Sequence, residues 1–195
     1  MEQQKLAIKK NINKVYLLSD QSFELLLEKC HISQYKKGKL ILSAGEVDQQ
    51  FRLVLSGLVK TYQISENGKK ESINWLINEG GVACSVISLF KQIPSSEYIE
   101  TIEDSLLICI KYHDLNELID KQPEICKLIG KWMMEFLVKY DKRISIYRNA
   151  RPEQKLEILM KAQPELMNRL SKKEIASYLD IAPGTLSATF HKLKL

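Results

Sequence analysis

The stretch from Pro123 to Asn149 constrains this chain more than any other. Apolar residues recur at Ile125, Leu128, Ile129, Trp132, Met133, Phe136, Leu137, Tyr140, Ile144 and Tyr147. Steps of three and four put them on one stripe of a long amphipathic helix. About 25 residues in helical form extend roughly 38 Å at 1.5 Å per residue. The chain before this stretch reads as strands and turns and the chain after it as short helices, so the helix is expected to act as a shaft joining two unlike units. A stripe of large side chains must be covered, either by its own domain or by a second copy, while flanking charges (Lys139, Asp141, Lys142, Arg143, Arg148 and Arg151) keep the other sides wet. Self-association about a two-fold axis is the expectation, with Ile125, Ile129, Trp132, Met133, Phe136 and Tyr140 as the dimerisation residues.

A chain of 195 residues, 45% of them hydrophobic, fills one large or two small cores, and disorder is not expected. No run of 18 uncharged apolar residues occurs and the first residues, Met-Glu-Gln-Gln-Lys, carry no apolar signal segment, which implies a cytoplasmic protein with no membrane partner. The four cysteines (Cys30, Cys84, Cys109, Cys126) are far apart and pair with no histidine at metal-ligand spacing, so no metal site, iron–sulfur cluster or disulfide framework is expected. Net charge is +5, and residues 148–195 hold nine Lys and Arg against five Asp and Glu. A basic C-terminal quarter suits contact with phosphate.

Taken in order, Ser19 precedes Phe23, Leu26 and Leu27 as the N-cap of a short helix. Lys37 to Glu46 reads as turn, strand, turn. Phe51 to Ile64 is a longer β run broken at Ser56-Gly57, and Glu66-Asn67-Gly68-Lys69 reads as a hairpin turn, because Asn-Gly accepts positive φ. The returning strand is Glu71 to Ile77. A loop or short helix over Val82 to Lys91 and a bend at Pro94-Ser95-Ser96 lead to an alternating strand, Tyr98 to Glu103, and an apolar strand, Leu106 to Lys111. Short strands with turns about every ten residues imply an antiparallel roll of the jelly-roll kind. Asp114 to Lys121 is a brief helix ended before Pro123. The expected fold class is α+β, with an N-terminal double-stranded β-roll over 1–122, a long dimerisation helix over 123–149 and an all-α helix-turn-helix unit over 150–195.

The last of these rests on specific grammar. Ser171 and Glu174 form an S-x-x-E capping box opening a helix that turns Ile175, Ala176 and Leu179 inward. Asp180-Ile181-Ala182 is a three-residue turn, and Pro183 opens a second helix whose inward face is Leu186, Phe190 and Leu193. Ala176 supplies the small residue that two steeply crossing helices need where they touch. The outer face carries Thr185, Ser187, Ala188, Thr189, His191 and Lys192, short polar groups suited to base edges and phosphates. Thr185, Ser187, Thr189, His191, Lys192, Lys172 and Lys173 are the candidate DNA-binding residues, with Arg169 and Lys194 as further phosphate contacts. A capped helical hairpin also occurs in proteins that never meet DNA.

Roll, long helix and helix-turn-helix in this order resemble the Crp/Fnr family of bacterial transcription regulators, in detail its short Bacteroidetes-type members. The resemblance is carried by Lys37-Gly38 with Gly45-Glu46, by Leu53-Val54-Leu55-Ser56-Gly57-Leu58-Val59-Lys60, by Glu100 to Ser105, and by Ile175-Ala176-Ser177-Tyr178-Leu179 and Thr185-Leu186-Ser187. It implies a homodimer through the long helix, a sensory cavity in the roll, two recognition helices offered to successive major grooves of double-stranded DNA, and as further partners a small-molecule effector and RNA polymerase. Relatives that bind cyclic AMP hold the ribose with Gly-Glu and the cyclic phosphate with Arg-Ser. Here Cys84-Ser85 stands for the first pair and Ser95-Ser96-Glu97 for the second, and Lys91 is the only cation between Glu79 and Tyr98. A buried phosphate needs a cation or converging donors, so no cofactor is assigned and a cyclic nucleotide is not expected in the usual mode. Cys84, Ser85, Ser95 and Ser96 remain the candidate ligand-binding residues. In the reading unit Ala182 replaces a Ser or Thr cap, Ala188 replaces an arginine that reads guanine in relatives, and no C-terminal wing is expected.

The function these features imply is a one-component DNA-binding transcription regulator. The alternative is a ligand-binding or interaction protein whose helix-turn-helix no longer reads DNA specifically. Enzymatic use of the roll in the cupin manner needs clustered histidines. His31 and His113 lie far apart, so no catalytic residue is assigned.

Overall fold

The computed structural model of the chain describes residues 2–65, 68 and 71–193. The hairpin turn expected at Glu66-Asn67-Gly68-Lys69 therefore falls largely outside the described residues, as does Lys194. The chain divides into two compact units: residues through Thr61 with Leu76–Glu135, and Tyr62–Trp75 with residues from Phe136 onward.

In the first unit two helices, α1 (Glu2–Asn13) and α2 (Asp20–Glu28), precede seven strands: β1 (Cys30–Tyr35), β2 (Leu40–Leu42), β3 (Gln50–Ser56), β4 (Val59–Ile64), β5 (Glu71–Ile77), β6 (Tyr98–Thr101) and β7 (Ser105–Lys111). A short helix, α3 (Val86–Lys91), interrupts them after β5, and α4 (Tyr112–Lys121) follows β7. The last strands of the β4–β5 hairpin belong in part to the second unit. One sheet has the order β1-β7-β3 and the other β2-β6-β4-β5. Strand β7 is the hinge of this arrangement, antiparallel to β1 (Cys30 opposite Ile110) and to β3 (Phe51 opposite Ile110). Its side chains alternate between two cores. Leu107 and Cys109 pack inside the roll with Val54, Val59 and Ile99, while Ile108 and Ile110 pack outside it beneath the helices. A strand buried on both faces reads as an unbroken apolar run, which is how Leu106 to Lys111 reads.

Helix α5 spans Pro123–Asn149, as the periodicity predicts. Its first half does not offer the seam that the sequence suggests. Ile125, Ile129 and Trp132 are buried (0%, 7% and 8% exposed) in the helix-covered core of their own unit, with Ile8 and Ile12 of α1 and with Phe51, whose ring centroid lies 5.4 Å from that of Trp132. Met133 packs against the same core. The physical reason is that burying each such side chain gains about 1.5–3 kcal/mol, and the outer face of the β1-β7-β3 sheet is bare without them. The exposed apolar side chains of α5 are Met134 (64%), Leu137 (58%), Val138 (54%) and Tyr140 (48%). Two apolar faces, one turned to the core and one turned to solvent, are superposed in a single periodic signal.

Two elements escape the sequence reading. In α1 only Ile8 and Ile12 turn inward, one turn apart among lysines. Strand β1 is an edge strand with His31, Ile32 and Gln34 exposed, so no alternation marks it.

In the second unit, α6 (Pro152–Ala162) and a 3-10 turn (Pro164–Asn168) lead to α7 (Lys172–Leu179) and α8 (Pro183–Lys192). Leu156, Leu166, Ile175, Ala176 and Leu186, each at most 2% exposed, form the centre of this helical unit. Ala176 sits where α7 and α8 meet, consistent with its small size.

Candidate functional site

The reading unit begins at the capping box. Ser171 Oγ accepts from the Glu174 N–H (3.2 Å), and Glu174 Oε2 accepts from the Ser171 N–H (2.8 Å), so two of the free donors at the start of α7 are satisfied. At its far end Asp180 takes the left-handed conformation (φ 49°), and the Ile181 N–H reaches back to the Ala176 carbonyl (3.0 Å), which closes the helix as a Schellman turn does and redirects the chain. Pro183 then opens α8, whose N-cap Ala182 makes no side-chain cap bond.

Thr185, Ser187, Ala188, His191 and Lys192 are exposed on α8, and Lys172 and Lys173 are exposed in the first turn of α7. Thr189 is not with them. It is 2% exposed and its Oγ1 donates to the Thr185 carbonyl (2.8 Å), so it belongs to the inner face beside Leu186 and cannot reach a base. Phe190 and Leu193 are only half-buried. Three-residue and four-residue steps from Leu186 point to Thr189 and Phe190 alike, and a threonine can be buried once its hydroxyl bonds back to the helix. Lys192 is held by Glu153 of α6 (2.7 Å), and that ion pair keeps the Glu153 carboxyl below the usual carboxylate range. Lys172 lies over the Phe190 ring (5.7 Å).

A second constellation in this unit was not legible. Strand β5 is an edge strand, and its outer backbone groups need partners. Ser177 of α7 supplies them: its Oγ accepts from the Ile73 N–H (3.1 Å) and donates to the Glu71 carbonyl (2.8 Å). Arg143 of α5 donates to the carbonyls of both Ile73 (3.0 Å) and Tyr178 (3.1 Å). Its guanidinium lies over three rings, Tyr178 at 3.9 Å, Tyr147 at 4.4 Å and Trp75 at 5.3 Å. Lys155 of α6 donates to the Leu179 carbonyl (3.2 Å). The cations thus sit on the last carbonyls of α7, where the helix dipole favours positive charge. Burial pushes the Tyr147 phenol up despite Arg143 beside it. Hairpin, long helix and reading unit are clasped together at this point.

In the roll the predicted ligand residues separate. Ser85 (4% exposed) and Ser95 (5%) meet, their hydroxyl oxygens 2.9 Å apart. Ser96 is exposed, and Cys84 packs in the helix-covered core, where burial pushes its thiol up. What gathers around Ser85 instead is a buried ion pair: Asp48 (0% exposed) and Arg52 (5%) meet at 2.9 Å. The loop between Glu79 and Tyr98 carries no arginine, yet Arg52 reaches it from β3. Asp48 lies in a turn and Arg52 in a strand, and nothing in their spacing signals a site.

A β-roll followed by a long helix and a helix-turn-helix defines a class of protein, one in which a sensor fold is joined to a nucleic-acid reader. Residues 32–122 match the family model described as "Cyclic nucleotide-binding domain". No curated protein matches the chain. Among solved structures it is similar to FixK2 from Bradyrhizobium japonicum (15% identity, TM-score 0.74, covering 85% of this chain and 84% of that one). It is also similar to CLP, the c-di-GMP responsive global regulator of Xanthomonas campestris (18%, 0.74, 90% and 92%). A protein from Eubacterium rectale described as a transcriptional regulator of the crp/fnr family matches likewise (15%, 0.71, 91% and 84%). Residues 32–122 belong to the cyclic nucleotide-binding domain family, and the fold of the chain is that of the Crp/Fnr regulators.

Proposed function

We propose that this chain is a homodimeric, cytoplasmic, DNA-binding transcription regulator whose roll responds to a small effector and whose two α8 helices read successive major grooves. Its role is regulatory rather than enzymatic. The observation that carries the reading is the α7–α8 unit itself: a capped first helix, a tight turn at Asp180, and a second helix exposing Thr185, Ser187, His191 and Lys192 beside Lys172 and Lys173. Among the described residues no helix is long and apolar enough to cross a membrane.

The dimer seam proposed is the solvent-facing stripe of α5, Met134, Leu137 and Val138, with Tyr140 at its side. Gly130 lies one turn before Met134, is exposed, and would meet nothing within 4 Å if it carried a Cβ. A mid-helix glycine costs about 1 kcal/mol relative to alanine, and room for a second helix to approach closely is a use for it. A signal in the roll would act by changing how the paired helices pack, which sets the separation of two readers against the roughly 34 Å of one DNA turn. RNA polymerase is the further partner such a regulator meets.

Anisotropy titration of a labelled random duplex tests this. Three lysines per reader, Lys172, Lys173 and Lys192, give six phosphate contacts in a dimer and a slope of log affinity against log salt of about −5. A dimeric protein that binds no duplex at low salt refutes the reading. The interaction-module alternative draws on Ala188, exposed and without a polar group, and on the Glu153–Lys192 pair, which a phosphate must displace. Under that alternative K172A/K173A leaves partner binding intact while duplex binding is absent throughout.

A further inference from the structure

We propose that the roll contains an anion site which the chain fills itself, the Asp48 carboxylate standing where the anionic group of a ligand would sit. This rests on the roll being the sensory part in the reading above, and it narrows the effector to molecules that bring no anion to this position.

Asp48 is fully buried and both of its oxygens are occupied. Oδ1 accepts from Arg52 Nη1 (2.9 Å) and from the Gln50 N–H (3.2 Å), and Oδ2 accepts from the Ser85 N–H (2.9 Å). A guanidinium and two backbone N–H groups converging on two oxygens is the donor set by which proteins hold carboxylates and phosphates. The rest of Asp48 is engaged with the same loop. Its N–H donates to Ser88 Oγ (2.8 Å) and its carbonyl accepts from Gln92 Nε2 (3.3 Å). One side chain and its own backbone thereby hold the segment from Ser85 to Gln92 against the start of β3.

A second observation marks the spot as a binding place rather than an ordinary buried pair. Arg52 Nε and Thr61 Oγ1 have no hydrogen-bond partner, although Arg52 is 5% and Thr61 1% exposed. By strand alternation Arg52 shares the face of Val54 and Thr61 the face of Val59, and both of those side chains line the interior of the roll. Unpaired polar groups there are costly unless something meets them. They face a cavity wall that already holds a buried carboxylate, so an anion arriving beside Asp48 is repelled, whereas an uncharged group that accepts from Arg52 Nε and pairs with Thr61 is not. The roll of this chain is therefore set without a cyclic nucleotide.

Chemical rescue tests this in the full-length protein. D48A vacates the site, and formate is the smallest carboxylate that can refill it, with inorganic phosphate as the second probe and chloride as the ionic-strength control. The melting temperature of D48A is expected to rise saturably with formate, about 4 °C for each tenfold excess over the dissociation constant. Wild type and D48A/R52M are expected not to respond, and cyclic AMP is expected not to shift wild type. D48A that responds to neither formate nor phosphate beyond chloride overturns the proposal, and so does stabilisation of wild type by cyclic AMP. If D48A does not fold in chloride, its refolding yield in formate against chloride gives the same reading, and equal yields overturn it. Failure to bind duplex would refute the regulator reading and leave this rescue untouched, so the two can fail separately.

Discussion

The clasp at Arg143 carries the most exposed physical argument, and its removal can be worked through. R143A deletes two hydrogen bonds from a charged donor to backbone carbonyls, at 3.0 and 3.1 Å, each worth about 1.5–3 kcal/mol. It also deletes three ring contacts at 3.9, 4.4 and 5.3 Å, each about 0.5–1 kcal/mol at a partly exposed position. Direct addition gives roughly 4–9 kcal/mol. Arg143 is only half-buried, however, so water can reach the vacated carbonyls and the rings can close on one another, which brings the expected loss to roughly 2–4 kcal/mol. R143K keeps the charge but not the planar fork that spans two carbonyls, and is expected to recover less than half of that. S177A strips both partners from the β5 edge and is expected to cost about 1–2 kcal/mol. Hydrogen exchange of the Ile73 amide, whose acceptor is Ser177 Oγ, reads the clasp directly. A loss of 2–4 kcal/mol accelerates it by a factor of about 30 to 1,000. A double-mutant cycle between R143A and S177A should show coupling of about 0.5–2 kcal/mol, since both hold the same strand. Duplex affinity should fall in R143A with the salt slope unchanged, because no phosphate contact is lost. Exchange at Ile73 altered less than threefold in both variants would show that the edge is not held by this clasp, and the argument would be wrong.

Other expectations follow from single features. L137D/V138D should give a folded monomer by light scattering, whereas I129D should unfold because Ile129 is core; a dimer surviving L137D/V138D refutes the proposed seam. K172A/K173A removes four of six phosphate contacts per dimer and should bring the salt slope from about −5 to about −2; an unchanged slope shows that these lysines do not touch DNA. Gly57 has φ 99°, and a Cβ there would lie 2.7 Å from the Asp104 carbonyl, so G57A should cost roughly 2–4 kcal/mol in urea unfolding. Burial pushes the Cys30 thiol up to about 12, leaving it protonated through about pH 9, so iodoacetamide should label exposed Cys126 first and Cys30 only after unfolding; early labelling of Cys30 by mass spectrometry contradicts its placement.

Much of the architecture was legible because it is written in local rules. Pro123 starts α5, Ser171 with Glu174 starts α7, Pro183 starts α8, and Glu71–Ile77 is a strand with the bounds its residues suggest. Each depends on neighbours within four residues. What failed depends on partners far along the chain. Periodicity marks Ile125, Ile129 and Trp132 as one face of a helix but carries no information on whether Phe51 or a second copy covers it. Thr189 looks like a reader by chemistry and is a core residue by position, because its hydroxyl satisfies itself on the preceding turn.

The same limit explains why both polar constellations were missed. Ser177 and Glu71 are 106 residues apart, and the value of Ser177 exists only once β5 is an edge with its backbone bare. Asp48 and Ser85 are 37 residues apart, and the value of Asp48 exists only once Arg52 points into the roll. A sequence comparison with a phosphate-binding loop asks whether the loop contains an arginine, and here the answer misleads in both directions. A guanidinium does reach the loop, from β3, and it arrives already neutralised by a carboxylate four residues before it. The quantity that decides whether an anion binds is therefore the net charge converging on the Ser85 amide, +1 from Arg52 less 1 from Asp48, and not the presence of a cation. A chain that balances that charge internally keeps the geometry of an anion-holding roll while giving up its response to anions, and only a substitution at Asp48 can separate the two.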